Sequence, residues 1–406
     1  MTDLQRRPRT GPIQLYGPRF HADPDELYAL IREQHGPVAP VLLEGDVPAW
    51  FVCGYRELHQ VTTDSQLFAR DPRRWSGWEL VQEDWPLIAY MMYTPSVMFT
   101  EGPEHRRRAG AISDALAAVD QFDLATQCER IADQLIDKFA GGGEADLMSQ
   151  YASRIPLRAA AMMCGMPEVA ARELIDSLTA GVGSPGPDAF AVYEQAQEAL
   201  LQLVDQKRVY PGEDVPSHLL ANPAHLSGEE IVLDMLVVLA SAHGQTANWI
   251  GNTIRLMLTD TRFAVTLSGG RSSIGDALNE VLWHDTPTPN YLGRIATRDT
   301  QLGGQRIREG DLIVLGLAAA NADPQVRPAG TSGNRAMMSF GHGEHGCPYP
   351  APELAEIIAK TSIEVLIDRL PDLSLAVAPA ALEWRPSVWS RALVSLPVTF
   401  TPTYVS

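Results

Sequence analysis

The segment at residues 340–348, FGHGEHGCP, constrains the fold of this 406-residue chain more than any other feature. Its three glycines and its proline indicate a tight loop in which the backbone can approach a flat ligand. The sequence APELAEIIAKTSIEVLIDRL follows and predicts a helix, whose dipole and free N–H groups would favour a thiolate at Cys347. From these residues alone, Cys347 is either a reactive, metal-binding thiolate or a buried structural cysteine.

Helical patterns dominate the rest of the chain, and short β-like runs occur near residues 37–54, after Arg294 and close to the C-terminus. Ser227 and Glu230 have the spacing of a capping box, which predicts the start of a long apolar helix. No linker is long enough to divide the chain. We therefore expect one domain, residues 1–406, mainly α with a small β subdomain.

The formal net charge of −18 argues against nucleic acid or an anionic membrane as a partner. No window reaches the roughly 18 apolar residues of a membrane helix, and the N-terminal segment lacks an apolar stretch. These features lead us to expect a cytoplasmic protein. The four cysteines form no CxxC pair, so the sequence favours neither a zinc site nor a disulfide framework.

The cysteine loop resembles the haem-binding signature of bacterial cytochromes P450, FGxGxHxC, and further similar segments follow in order along essentially the whole chain. The resemblance implies the cytochrome P450 fold, with haem b (iron protoporphyrin IX) between the long helix I and the Cys loop with its following helix L. It implies that Cys347 is the axial iron ligand. Phe340 would pack beside the thiolate, Gly341 would belong to the same cofactor-binding loop, and His345 would meet a haem propionate.

Other cofactor and substrate residues are implied by the same resemblance. His105 and Arg107 match the family helix that supplies a His and an Arg to the propionates. The second arginine of that helix falls on Ala109, where Arg108 is a substitute candidate. Arg294 resembles the strand arginine that binds a propionate. The remaining implied contacts, to substrate, are the tip of the C-terminal hairpin at Val388 and Trp389, and Ala240 of the long helix.

The chain departs from the family in helix K, where the ExxR motif reads Glu280 to Trp283. A buried carboxylate without its arginine requires other donors. The candidates are the Trp283 indole, backbone N–H groups, and an arginine before the cysteine loop, of which Arg335 is preferred over Arg327. The ExxW pattern resembles a small bacterial subgroup; alternatively, Trp283 is only core packing.

The second departure lies in helix I, where the family has an acid–alcohol pair that delivers protons to dioxygen. Gly244 and Gln245 occupy those two positions. Gln245 can form hydrogen bonds but cannot supply a proton as a carboxylic acid does. Thr246, one residue on, is a further catalytic candidate. His243 is either a local acid or base or only a polar pocket residue.

The resemblance implies a monooxygenase that oxidises a small organic or secondary-metabolite substrate with dioxygen and electrons from ferredoxin and ferredoxin reductase. Two alternatives remain open: oxidative cross-linking of an aromatic peptide or polyketide, and a haem-binding regulatory or scaffold protein with little turnover. The aromatic-rich segment at residues 72–99 would either embrace an aromatic substrate or form an aromatic-packed cover.

Overall fold

Helices form most of the fold in the computed structural model, which describes residues 11–82, 84–167, 169–170, 172–174, 187–264, 272–326 and 333–403. The helices are α1 (Gly17–Ala22), α2 (Pro24–His35), α3 (Tyr55–Thr63), α4 (Ile88–Met91), α5 (Gly102–Ala117), α6 (Gln121–Ile136), α7 (Arg154–Met163), α8 (Pro187–Val209), α9 (Val215–Ala221), α10 (Gly228–Thr259), α11 (Thr261–Ala264), α12 (Ser272–His284), α13 (Leu317–Asn321) and α14 (Ala351–Arg369). A π-helical turn, Met148–Ala152, precedes α7. The expected fold class, mainly α with a small β part, is confirmed.

The β part consists of short strands gathered into three sheets. The strands are β1 (Ile13–Gln14), β2 (Val38–Leu43), β3 (Val47–Val52), β4 (Phe68–Ala69), β5 (Glu144–Asp146), β6 (Tyr291–Ala296), β7 (Thr300–Leu302), β8 (Gln305–Ile307), β9 (Leu312–Leu315), β10 (Ser374–Leu375) and β11 (Pro397–Thr399). The largest sheet has the order β1-β2-β3-β9-β6-β4. A bulge between Leu292 and Arg294 interrupts the pairing of β6 with β9. Because a bulge re-aims the side chain that follows it, this irregularity affects the direction of Arg294.

The long helix α10 begins where the sequence predicts. Ser227 Oγ accepts from the Glu230 N–H at 3.1 Å, and Glu230 Oε2 accepts from the Ser227 N–H at 2.7 Å, so the capping box is complete. The helix packs against α7, α8, α12 and α14 and contributes Trp249, Ile250 and Ile254 to the largest hydrophobic cluster. Helix α10 therefore forms the centre of the helical part. Among the described helices, none combines the length and the apolar character that a bilayer crossing requires.

The aromatic segment at residues 72–99 packs largely onto the protein itself. Trp75 and Trp85 are buried and stacked at 5.8 Å between ring centroids, and Trp78 meets Trp75 edge-on at 5.1 Å. The indole N–H of Trp85 donates to Glu44 O at 2.6 Å. This packing favours the aromatic-packed cover, because these three indole rings stabilise the segment against the sheet.

Candidate functional site around Cys347

The cysteine loop is closed by its own backbone. The Cys347 N–H donates to Phe340 O at 2.8 Å, the Gly346 N–H to Gly343 O at 3.0 Å and the Gly341 N–H to Met338 O at 2.8 Å. Gly343 has φ +73°, and a Cβ there would lie 2.1 Å from Thr62 O of α3. Only glycine fits at this point, because any other side chain would push the loop away from α3.

Cys347 differs from the other three cysteines of the chain. Cys53, Cys128 and Cys164 are buried, whereas Cys347 is exposed. Protein atoms still crowd the sulfur, and this desolvation raises the pKa of the Cys347 thiol to about 12. Pro348, Tyr349 and Pro350 separate it from Ala351, the first residue of α14. The thiol therefore needs a directly bound cation to become a thiolate at neutral pH, and a metal ion provides one.

Phe340 connects the loop to the long helix. Its ring meets the Trp249 ring of α10 edge-on, with centroids 5.8 Å apart, and the Trp249 indole donates to Leu278 O of α12 at 3.0 Å. Sequence reasoning missed Trp249, which lies in an apolar helical run without a polar signal. The contact fixes the distance between α10 and the loop, which are the two walls that the resemblance assigns to the haem.

Two histidines lie together beside the loop. The rings of His105 (α5) and His345 have centroids 3.9 Å apart. His105 Nε2 lies 2.9 Å from Glu344 O, and its Nδ1 lies 3.0 Å from Val97 O. Burial, helped by Arg294, His105 and Arg70, holds the pKa of His345 well below its ordinary range. His345 is therefore neutral in this arrangement, and His105 ties the loop to α5.

Arg294 carries a buried charge that calls for an anionic ligand. Arg294 is 2% exposed. Within the described residues its side chain makes one hydrogen bond, from Nη1 to Gly293 O at 3.4 Å. It forms no ion pair with any described carboxylate. Burial, followed by the neighbouring Arg70, lowers the pKa of Arg294 to about 9. A buried guanidinium without an anion is costly, so the carboxylates of a haem fit the donors present here.

Comparisons with known proteins agree with this geometry. No protein-family model matches the chain. The chain is 28% identical over 391 residues to cytochrome P450 107B1 of Saccharopolyspora erythraea. The alignment covers 93% of this chain and 95% of that protein. The solved structure of CYP154C4 from a Streptomyces species superposes with a TM-score of 0.86 at 27% identity, covering 98% of this chain and 100% of that one. A second solved structure, the cytochrome P450 enzyme CxnD for C–S bond formation in chuangxinmycin biosynthesis, superposes at 0.83 with 25% identity, covering 98% and 100%.

The chain is a cytochrome P450 of the bacterial type. It is an oxidoreductase of the monooxygenase kind, and the family binds haem. The residues that the sequence assigned to this P450 separate into those that surround Cys347 and those that lie elsewhere.

Arg107 and Arg108 of the P450 lie elsewhere, which corrects their expected place at the propionates. Arg107 pairs with Glu104 at 2.7 Å and with Glu230, and donates to Ala224 O at 3.0 Å. Arg108 is buried and chelates Asp234 of α10 through Nε at 2.8 Å and Nη2 at 2.6 Å. Both guanidinium groups are engaged by carboxylates at the N-terminal half of α10, so neither is available for the cofactor.

The residues of helix I, which is α10 in this P450, differ in their surroundings. His243 Nε2 lies 3.0 Å from Ser153 O, immediately before α7. Gln245 Oε1 is buried with no hydrogen-bond partner among the described residues, and Thr246 is buried. A Cβ added to Gly244 would meet no atom within 4 Å. Ala240 is exposed, although most of α10 is buried.

The C-terminal hairpin tip of the P450 is held by several elements. Val388 and Trp389 are buried, and the Trp389 ring lies 5.5 Å from Tyr90 of the 72–99 segment. Asn248 of α10 donates to Ser390 Oγ at 2.9 Å, while Asn290 donates to Val388 O at 2.8 Å. The Trp389 indole N–H has no partner among the described residues. These contacts bring the tip next to helix α10.

In helix K of the P450, which is α12 here, two of the donors expected for Glu280 bind other groups. The Trp283 indole donates to Asn334 O at 3.1 Å, and Arg335 forms a bidentate pair with Glu356 at 2.7 and 2.9 Å. Glu280 instead lies 3.2 Å from Arg262 and 3.8 Å from His284. Arg327 lies outside the described residues. The Glu280 side chain is 15% exposed, and the cation beside it, Arg262, lies at the surface.

Proposed function

We propose that this P450 is a monooxygenase that oxidises a small organic or secondary-metabolite substrate, using dioxygen and electrons from ferredoxin and ferredoxin reductase. The proposed cofactor is haem b, with Cys347 as the axial ligand. One observation carries the proposal: Cys347 lies in a glycine loop that contacts helix α10 through Phe340 and Trp249 and neighbours the basic residues His105, His345 and Arg294. We propose that residues 1–406 form one domain.

A thiolate-bound haem supplies the oxidising chemistry, because the thiolate donates electron density that favours cleavage of the O–O bond. The chain contributes binding and orientation. Cys347 would hold the iron, Arg294 and His345 would bind the carboxylates, and helix α10 would form the other wall of the site. We propose that Ala240, Val388 and Trp389 contact the substrate, because Ala240 is exposed within α10 and the Trp389 indole N–H has no described partner.

Proton delivery is the step in which this chain differs from its family. Gln245 offers a buried carbonyl oxygen without a described donor, and Gly244 offers no side chain. An amide cannot release a proton as a carboxylic acid does, so the substrate or ordered water must supply it. Thr246 is buried one residue further along and can relay a proton only toward the face on which its hydroxyl lies.

The test uses a double variant and a matched control. Gly244→Asp with Gln245→Thr restores the acid–alcohol pair, and the open space beside Gly244 accommodates the new side chain. With surrogate ferredoxin and reductase, the wild type should consume NADPH with little product, and the variant should yield several-fold more oxygenated product per NADPH. The control is Glu229→Gln, at an exposed position in the first turn of the same helix. Product without label from ¹⁸O₂, in every variant, would contradict oxygen insertion.

Oxidative coupling is the second candidate, favoured by the similarity to the C–S bond-forming CxnD. Coupling removes two hydrogen atoms from the substrate, inserts no oxygen and depends less on the acid–alcohol pair. With an aromatic substrate, a product that has lost two hydrogen atoms and gained no ¹⁸O would support coupling. We also propose that the chain belongs to the ExxW subgroup, on the basis of Glu280 and Trp283. Nothing in the site favours a scaffold role over catalysis.

A further inference from the structure

Arg70 is a buried arginine that sequence reasoning missed, and it lies next to the strand that carries Arg294. It follows β4, which pairs with the end of β6 through Phe68–Ala296 and Ala69–Ile295. Arg70 is 3% exposed. In the sequence it stands in ARDPRRW, among three arginines within five residues, and nothing there distinguishes it from the exposed Arg73.

The guanidinium of Arg70 is held by backbone oxygens rather than by a carboxylate. Nη1 donates to Leu292 O at 2.6 Å and to Gly293 O at 2.7 Å, and Nε donates to Met98 O at 3.2 Å. The group also lies over the rings of Phe99 and Tyr291, at 5.2 and 4.9 Å from their centroids. These partners fix the position of the group, but carbonyl dipoles and rings leave its charge uncancelled.

Arg70 shapes the bulge from which Arg294 projects. Gly293 has φ +95°, and a Cβ there would lie 2.4 Å from Arg70 Nη1, so the bulge and the guanidinium fit each other only with glycine. Arg294 Nη1 lies 3.4 Å from the same Gly293 oxygen. Two buried guanidinium groups therefore share one carbonyl acceptor. Such proximity of like charges away from water is unfavourable unless an anion lies beside them.

Glu101 only partly compensates these charges. Its Oε1 accepts from the Arg70 backbone N–H at 2.7 Å, and its Oε2 lies 3.3 Å from Arg74. It stabilises the charged forms of Arg70 and Arg294 at longer range. Helix α5 provides no further buried cation for the site, because position 109 is alanine, Arg107 and Arg108 bind carboxylates elsewhere, and the exposed Arg106 pairs with Glu344.

We propose that Arg70 is a positioning residue for the cofactor. It holds the Gly293 bulge so that Arg294 reaches a haem carboxylate, and it adds a second buried positive charge beside that carboxylate in place of the arginine that α5 lacks. This inference rests on the haem-thiolate assignment of Cys347. Arg70 acts through Arg294 and through its charge, because its Nε and Nη1 groups donate to main-chain oxygens and its Nη2 donates to the Tyr291 hydroxyl at 3.3 Å.

The experiment compares Arg70→Met, Arg70→Lys and the surface control Arg73→Met in the haem-loaded protein. Three quantities are measured: the ferric–ferrous reduction potential, the rate of haem transfer to apomyoglobin, and the melting temperature. Arg70→Met should accelerate haem loss about tenfold or more, the loss expected if Arg294 no longer makes its charge-assisted hydrogen bond to the haem carboxylate. It should also lower the potential, because a nearby positive charge favours the reduced iron. Arg70→Lys should keep the potential and still accelerate haem loss, because one ammonium group cannot donate all the hydrogen bonds of the planar guanidinium.

The potential separates this role from a merely structural one, which would change the melting temperature in both Arg70 variants and leave the potential at the wild-type value. If Arg70→Met does not fold, Arg70→Gln decides: faster haem loss together with a lower potential supports the proposal, and a wild-type potential or haem loss equal to that of Arg73→Met overturns it. Wild-type protein without a thiolate-type CO spectrum would refute the haem-thiolate assignment itself. Normal wild-type spectra with unaffected Arg70 variants would refute only the role of Arg70.

Discussion

The indole N–H of Trp283 donates to the main-chain oxygen of Asn334 across 3.1 Å, and this bond links helix α12 to the segment before the cysteine loop. Asn279, one turn earlier, donates to the same oxygen at 3.2 Å. Trp283 is 2% exposed and packs in the largest hydrophobic cluster. A neutral indole and an amide thus make the connection for which the family uses an ion pair, and Trp283 is both core packing and a hydrogen-bond donor.

Replacing Trp283 should therefore cost stability without exposing an unpaired charge. Trp283→Phe removes the donor and some volume, and we expect a loss of about 1–3 kcal/mol in the free energy of unfolding. Trp283→Arg should lose more, because the guanidinium would be buried in an apolar cluster. Urea unfolding and haem content measure both effects. Trp78→Phe, which breaks an indole bond to Pro72 O at 2.8 Å, is the control and should keep full haem content. Equal stability of wild type and Trp283→Arg would contradict this account.

Arg108 and Asp234 form a buried charge pair, whereas the partner of Glu280 is exposed. Asp234 is fully buried and also accepts from the Val97 N–H at 2.6 Å. Asp234→Asn leaves a buried guanidinium unpaired, and we expect about 3–5 kcal/mol of destabilisation. Glu280→Gln should cost less than about 1 kcal/mol, because its partner Arg262 is 64% exposed. Thermal unfolding of the two variants side by side tests the ranking, and the reverse order would refute it.

Cys347→Ala should abolish the thiolate-type absorption band of the reduced, CO-bound protein, because the sulfur ligand is lost. Cys128→Ala is the matched control. It removes a buried thiol from the core, so it should lower the melting temperature slightly and keep the band. A wild-type band in the Cys347→Ala protein would exclude this cysteine as the ligand.

The two histidines at the outer side of the cysteine loop should make the free energy of unfolding decrease as the pH falls. The His342 and His59 rings stack with centroids 4.2 Å apart, and burial and His59 lower the pKa of His342. The unfolded chain, in which the histidine pKa is about 6.5, therefore takes up the proton first as the pH falls. The free energy of unfolding should decrease below about pH 6.5. His59→Gln should reduce this decrease, and His218→Gln should not. An identical pH slope in the His59 variant and the wild type would refute the coupling.

Local patterns in the sequence were enough to predict the elements of the fold that are named below and the cysteine loop. The capping box at Ser227, the hairpin β2–β3 and helix α14 depend on neighbouring residues, and each forms as predicted. The contacts between distant elements were not predictable in this way. Arg70 and Arg108 each stand in a run that looks like a solvated basic turn, and only the packing of β6 and α10 against them shows that they are buried.

The same distinction explains the errors. Arg107 was placed by analogy at the cofactor, but Glu230, 123 residues further along the chain, binds it. The resemblance favours Arg335 as a partner of Glu280, because the family's loop arginine approaches from that side, yet Arg335 pairs with Glu356 of α14. In both cases the competing partner lies on an element whose position depends on the whole fold.

The hydrogen bond from His105 to the oxygen of Glu344 joins residues 239 positions apart. Closing so long a loop costs chain entropy before any contact compensates for it, so such contacts form late in folding and slow it. The wall around Cys347 therefore assembles only after the helices and the sheet have docked. During synthesis the ribosome has released α5 long before the cysteine loop exists, so the cofactor can be captured only by a chain that has been synthesised beyond Cys347.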